Sequence, residues 1–145
     1  DYVKKMKWHN YIKIHEDEIL VRDLKAVLED FDLWAGHYSR KFDIPFINSR
    51  LIKHRMKPLP YEKHLDTQQI ARKNLHIHSN RLASLAEFFD LPEKEPMKGK
   101  IWIPALAGDS EAIGLVVSHC QRDVDVLEGV FERLKPFIKE IKAYG

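Results

Sequence analysis

Gly36-His37-Tyr38-Ser39-Arg40-Lys41-Phe42-Asp43-Ile44-Pro45-Phe46 is the stretch on which the fold turns. The apolar run Leu33-Trp34-Ala35-Gly36 that leads into it reads as a short buried strand. His37 to Phe42 has no period. Pro45 suits the first turn of a helix, where its missing N–H costs nothing. A strand ends, the chain turns, and Asp43 stands at the mouth of a helix. Two uses of Asp43 are open on this local evidence. It is a helix cap, or it is a carboxylate at a strand edge with oxygens available to a hard cation.

On the N-terminal side, Leu20, Leu24, Val27, Leu28 and Phe31 recur at three- and four-residue steps, which predicts an amphipathic helix from Asp17. Tyr11-Ile12-Lys13-Ile14 alternates weakly, as a short strand would. On the C-terminal side, Pro58 and Pro60 end the Asp43 segment, and Leu65 to Ile70 is a second strand candidate. Ser79-Asn80 caps a helix whose face is Leu82, Leu85, Ala86 and Phe89. Residues 91–109, with Pro92, Pro96, Gly99, Pro104 and Gly108, read as a long loop in which Trp102 is a packing anchor. Asp109-Ser110 caps the last and longest helix, with a stripe of Ile113, Val116, Val117, Cys120, Val124, Leu127, Phe131 and Leu134. Cys120 in that stripe counts as a small apolar residue. Strands alternating with helices predict an α/β layered fold, in one domain over residues 1–145.

Composition narrows the function. A chain of 145 residues with hydrophobic 44% can bury a core, which excludes a disordered polymer. No apolar run approaches the ~20 residues of a membrane span, so no membrane role is expected. One cysteine, Cys120, forms no internal disulfide, and no signal-peptide pattern opens the sequence, so a cytoplasmic setting is expected. A net charge of +2 does not by itself argue for nucleic acid. The sequence starts on Asp1 rather than Met, as a piece of a longer polypeptide would.

The second chemical signal is His119-Cys120-Gln121-Arg122-Asp123. His119 and Asp123 are four apart on a helix, hence on one face. Such a pair can serve one water, the carboxylate holding a metal and the imidazole accepting a proton. Taken alone, the pair reads first as an ordinary His–Asp pair at the edge of the core. His64, His76 and His78 have no cysteine partners and read as exposed histidines rather than zinc ligands.

Taken together, the two segments resemble the DEDD, or DnaQ-like, superfamily of 3′–5′ exonucleases, most closely its predicted phage and bacterial single-domain subgroup. Gly36 to Leu51 is similar to that family's second motif, with Phe42-Asp43-Ile44-Pro45-Phe46 and then Arg50-Leu51. Ser118 to Leu127 is similar to its third. Leu65-Asp66-Thr67 and Ser79 to Leu85 resemble the connecting segments, so the likeness runs over residues 17 to 138. The fold it implies is a ribonuclease H-like α/β layer: a mixed central sheet flanked by helices, here lacking its first strand or strands. The activity it implies is hydrolysis of phosphodiester bonds at 3′ ends of DNA or RNA by two magnesium or manganese ions. In that scheme Asp43 and Asp123 are the metal-binding carboxylates and His119 orients or deprotonates the attacking water. Tyr38, Phe42, Arg40 and Lys41 are placed to bind substrate, a single-stranded or frayed 3′ end, with a polymerase or other replication protein as a possible partner.

Three positions depart from the family pattern. No Asp-x-Glu precedes Asp43, and Glu16-Asp17-Glu18 at a helix start is a poor substitute. That motif supplies two of the four acidic residues, so the 145 residues alone are expected to be nearly inactive. Tyr38 stands where Asn is usual. Three residues separate His119 from Asp123, the spacing of the subgroup that carries tyrosine instead. Two other readings remain: a catalytically incomplete nucleic-acid-binding or interaction module on the same fold, and a structure-selective endonuclease.

Overall fold

Asp17 starts the first helix and also anchors it. Its carbonyl accepts the Val21 N–H at 2.9 Å, opening α1 (Glu18–Glu29). Its carboxylate takes the Arg50 guanidinium through Nε and Nη2, each at 2.5 Å, and His54 Nε2 at 2.7 Å. Arg50 belongs to α2 (Asp43–Lys53), so this one carboxylate ties the start of α1 to the last turn of α2. The structure, a computed structural model, describes residues 17–60, 63–92 and 99–138, and the strand expected over Tyr11 to Ile14 lies outside them.

Hydrogen bonds from Arg50, then from His54, outweigh burial and hold the Asp17 carboxyl well below the usual carboxylate range. A group depressed in this way stabilises the fold above its unfolded pKa, about 4. The contribution fades as pH falls below that value, because the unfolded chain then binds the proton first. Asp17 is partly exposed, so solvent screening limits the effect. Asp17→Ala should cost about 1–2 kcal/mol at pH 7. Urea denaturation at pH 7 and pH 3 checks this, with the gap between variant and parent narrowing at the lower pH.

Two compact units divide the chain: residues 1–34 with 39–64, and residues 35–38 with 65–145. In the first, α1 and α2 pack together around Val21, Trp34, Ile44, Leu51 and Leu59, with Leu28, Ile47 and Met56 at the margin. Ile44, Ile47 and Leu51 recur at three and four residues, so one face of α2 is buried and Asp43 and Phe46 fall on the other. Polar groups around this core are matched: Trp34 Nε1–H donates to the Leu28 carbonyl at 2.7 Å, and Leu59 N–H donates to Asn48 Oδ1 at 2.8 Å. Pro58 does not end α2. The helix stops at Lys53, and Arg55 takes a left-handed φ of 59° while Met56 N–H returns to the Leu51 carbonyl.

β1 (Trp34–Gly36) and β2 (His64–Asp66) pair as a two-stranded parallel sheet, with α2 in the connection that parallel pairing requires. The protein is thus α/β and mostly helical, and the sheet among the described residues is these two strands. β2 is shorter than the run Leu65 to Ile70 suggests. The Asp66 carboxylate accepts the N–H groups of Gln68 and Gln69, and that cap turns the chain into α3 (Thr67–Asn74) at once. Capping satisfies N–H groups that a strand at this point would leave open, which overrides the weak alternation.

α4 (Leu82–Phe88), α5 (Trp102–Leu106) and α6 (Ser110–Leu134) complete the second unit. α6 packs on α3, α4 and α5, over a core of Ala71, Leu85, Val130 and Leu134. Asp109 caps α6 as the sequence predicts, its carboxylate accepting Ala112 N–H at 2.8 Å. The stretch 91–109 is less loop-like than its composition implies: a 3₁₀ turn (Gly99–Ile101) and α5 occupy its described part. Trp102 is no packing anchor. α5 buries none of its residues, and Trp102 remains 47% exposed. No helix among the described residues is long and apolar enough to cross a membrane.

Candidate functional site

The buried line of α6 runs differently from the stripe read in the sequence. Ala112, Val126, Val130 and Leu134 are buried, whereas Cys120 and Val124 are exposed. Counting back from Val130 and Val126 by fours and threes gives Asp123, His119, Val116 and Ala112. His119 and Asp123 therefore sit in the core-facing line rather than beside it. His119 Nε2 lies 3.5 Å from Asp123 Oδ2, with the two side chains 12% and 28% exposed. A helix gains most by placing apolar groups on that line. Two polar side chains in the middle of it give up that gain.

The chain after β1 lines a separate cavity in the second unit. Tyr38 has a left-handed φ of 61°, and its N–H donates to Asp66 Oδ1 at 2.9 Å. The same oxygen accepts Gln68 N–H at 3.0 Å. Thr67, wholly buried, donates its hydroxyl proton to the Gly36 carbonyl at 3.0 Å. With that proton committed, His37 Nδ1, 2.9 Å from the Thr67 oxygen, must be the donor of their bond. Asp66 thus fixes the Tyr38 backbone and Thr67 the His37 ring at the wall of a cavity of about 610 Å³. Arg72, Ser79, Asn80 and Arg81 form other parts of its lining.

The remaining residues singled out in the sequence lie in the first unit. Asp43 is the first residue of α2, exposed; the cap position belongs to Phe42, which is 66% exposed. Lys41 is exposed. Arg40 donates to the His64 carbonyl, and Arg50 is committed to Asp17, so this ion pair ties up one of the basic side chains available for phosphate. Asp17 and Glu18 are likewise engaged, Asp17 with Arg50 and His54 and Glu18 with Arg22. Neither stands in for an Asp-x-Glu pair. His64 is buried, not exposed, and its Nε2 bonds Ser39 Oγ at 2.9 Å. Among the described residues, no three His, Cys, Asp or Glu side chains gather into a group that could hold a metal.

Sequence reasoning missed Arg72, Asn80 and Arg81. The capping role assigned to Ser79-Asn80 concealed them. Neither residue caps α4, whose cap position is Arg81 without a side-chain cap bond; Ser79 Oγ accepts the Arg81 N–H at 3.3 Å, and Asn80 Oδ1 is buried without a hydrogen-bond partner among the described residues.

A family model of the RNase H superfamily, RNase_H_2, matches residues 2–135, and the chain belongs to that superfamily. Its two-stranded parallel sheet and surrounding helices are consistent with an RNase H-like fold lacking some strands. Membership points to a nuclease, and nucleases of this superfamily usually use divalent metals. No curated protein and no solved structure matches the chain significantly.

Proposed function

We propose that this chain carries the body of a metal-dependent 3′–5′ exonuclease of the DEDD, or DnaQ-like, type. The observation that supports it most is the His119–Asp123 pair in the core-facing line of α6, at the position the family's third motif would occupy. The donor chemistry suits a hard cation, since carboxylate oxygens favour magnesium or manganese over softer ions. The family's scheme assigns metal binding to Asp123 of the second unit and to Asp43 of the first. When bound, such ions polarise the scissile phosphate and lower the pKa of water.

This chain's own residues do the rest. Asp123 orients the His119 ring through Nε2. His119 accepts a proton from the attacking water at a ring nitrogen. Tyr38 and Phe42, both exposed aromatics, offer faces for unpaired bases, and Lys41 offers a cation to the backbone. Recognition through stacking and phosphate contacts is indifferent to sequence, as trimming of an arbitrary end requires.

The proposal has two carboxylates too few among its own motifs. The 145-residue chain should therefore leave a labelled single strand almost intact in manganese. The same chain with an Asp-x-Glu strand joined ahead of Asp1 should shorten it. Rapid shortening by the chain alone would show that the missing motif is dispensable. Tight binding without cleavage by either form would favour a non-catalytic binding module.

A further inference from the structure

α1 carries an apolar row that the described residues leave bare. Leu20, Leu24, Val27 and Phe31 follow one another at steps of four, three and four residues, so they form one line along the helix. These are the residues whose period predicts the helix, yet each is between 37% and 56% exposed. The core of the unit takes the neighbouring line instead, through Val21 and Leu28. Apolar side chains exposed singly are normal, whereas a continuous row of them marks an interaction surface.

Charge narrows what can cover that row. Asp23 and Asp30, seven residues apart, border it on the side away from Val21 and Leu28, and Asp32 follows the end of the helix. No ion pair engages these three carboxylates among the described residues, whereas Arg22 and Lys25 on the same helix are held by Glu18 and Glu29. A second copy of α1 laid against the first would set acidic border against acidic border, which disfavours self-pairing. The surface fits an apolar segment that brings basic residues with it.

Such a segment directly precedes α1. Residues 2–16 carry Lys4, Lys5 and Lys7 together with Trp8, Ile12 and Ile14. They fall in the same unit as α1, and the superfamily match begins at residue 2. The 12 residues of α1 rise about 18 Å, a length that about six extended residues cover. Residues 2–16 are therefore long enough to turn back and follow the whole row.

We propose that residues 2–14 cover the apolar row of α1. Ile12 and Ile14 lie on the row, and Lys4, Lys5 and Lys7 lie beside Asp30 and Asp32. The cover that the helix requires thus comes from within the chain, independently of any reading of the His119–Asp123 pair.

Hydroxyl-radical footprinting of the full 145-residue chain, read residue by residue by mass spectrometry, tests this. Leu115, bare to the same degree as Leu20 and Leu24, is the internal standard. Leu20 and Leu24 should lose most of the reactivity that Leu115 shows. Ile12→Asp combined with Ile14→Asp should restore it to the Leu115 level. Lys4→Glu, Lys5→Glu and Lys7→Glu together should restore it in part. Circular dichroism establishes that each variant is folded, and if the isoleucine variant unfolds, the lysine variant decides. Leu20 and Leu24 as reactive as Leu115 in the parent chain would overturn the proposal, and so would protection indifferent to the substitutions. Protection that rises with protein concentration would give the row to a second copy and overturn it equally.

Discussion

Asp123→Ala, made in the chain that carries an Asp-x-Glu strand ahead of Asp1, should lower 3′-end hydrolysis by on the order of 10³-fold or more, the scale of removing a group that stabilises transition-state charge. The same change should leave thermal stability unaltered or raise it. A half-buried carboxylate is replaced by a small apolar group on a line that otherwise buries Ala112, Val126, Val130 and Leu134. The two readouts divide the functional account from the structural one. If the pair only braced α6, stability would fall and the rate would follow it. His119→Ala should cost less, about 10²–10³-fold, because a positioned general base contributes on that scale. Its penalty should shrink when the reaction is run at high pH, where hydroxide replaces the base.

The second large effect concerns the fold. Asp66→Ala should destabilise the protein by roughly 2–4 kcal/mol, because one buried carboxylate serves three backbone donors. Its Oδ1 takes the N–H groups of Tyr38, Gln68 and Gln69 at 2.9, 3.0 and 3.4 Å. Removing it uncaps α3 and releases the strained turn at Tyr38 together. Asp66→Asn retains an acceptor oxygen and should cost about 1 kcal/mol. Urea denaturation followed by far-ultraviolet dichroism gives both values. Equal, small losses for the two variants would show that the cap carries little of the stability.

How far the sequence revealed this molecule depends on what each residue's role required. Local chemistry was readable. Asp109 capped a helix because its side chain needs only the N–H three residues on. The short apolar run ending at Gly36 made a strand, and Pro45 marked the first turn of α2. Roles set by distant partners were hidden. The capping role of Asp66, the last residue of β2, was hidden, since its use of the Tyr38 N–H spans 28 residues of sequence. His64 looked exposed because its Ser39 partner lies 25 residues away. The α6 stripe was misjudged by one position. Cys120 and Val124 are apolar and share the helical period, but α3, α4 and α5 pack against other residues. That shift made His119 and Asp123 seem peripheral when they lie on the inner line. Arg72 carried no motif, and Asn80 and Arg81 were read only as cap and connecting segment; the cavity gathers them.

The polarity of degradation tests the central claim most directly. Two copies of one single-stranded oligonucleotide, labelled at the 5′ or the 3′ end, are digested in manganese by the chain joined to an Asp-x-Glu strand. The account predicts that the 3′ label is released first as a mononucleotide while the 5′-labelled strand steps down one nucleotide at a time. Internal fragments as first products, or mononucleotides released from the 5′ end, would contradict it.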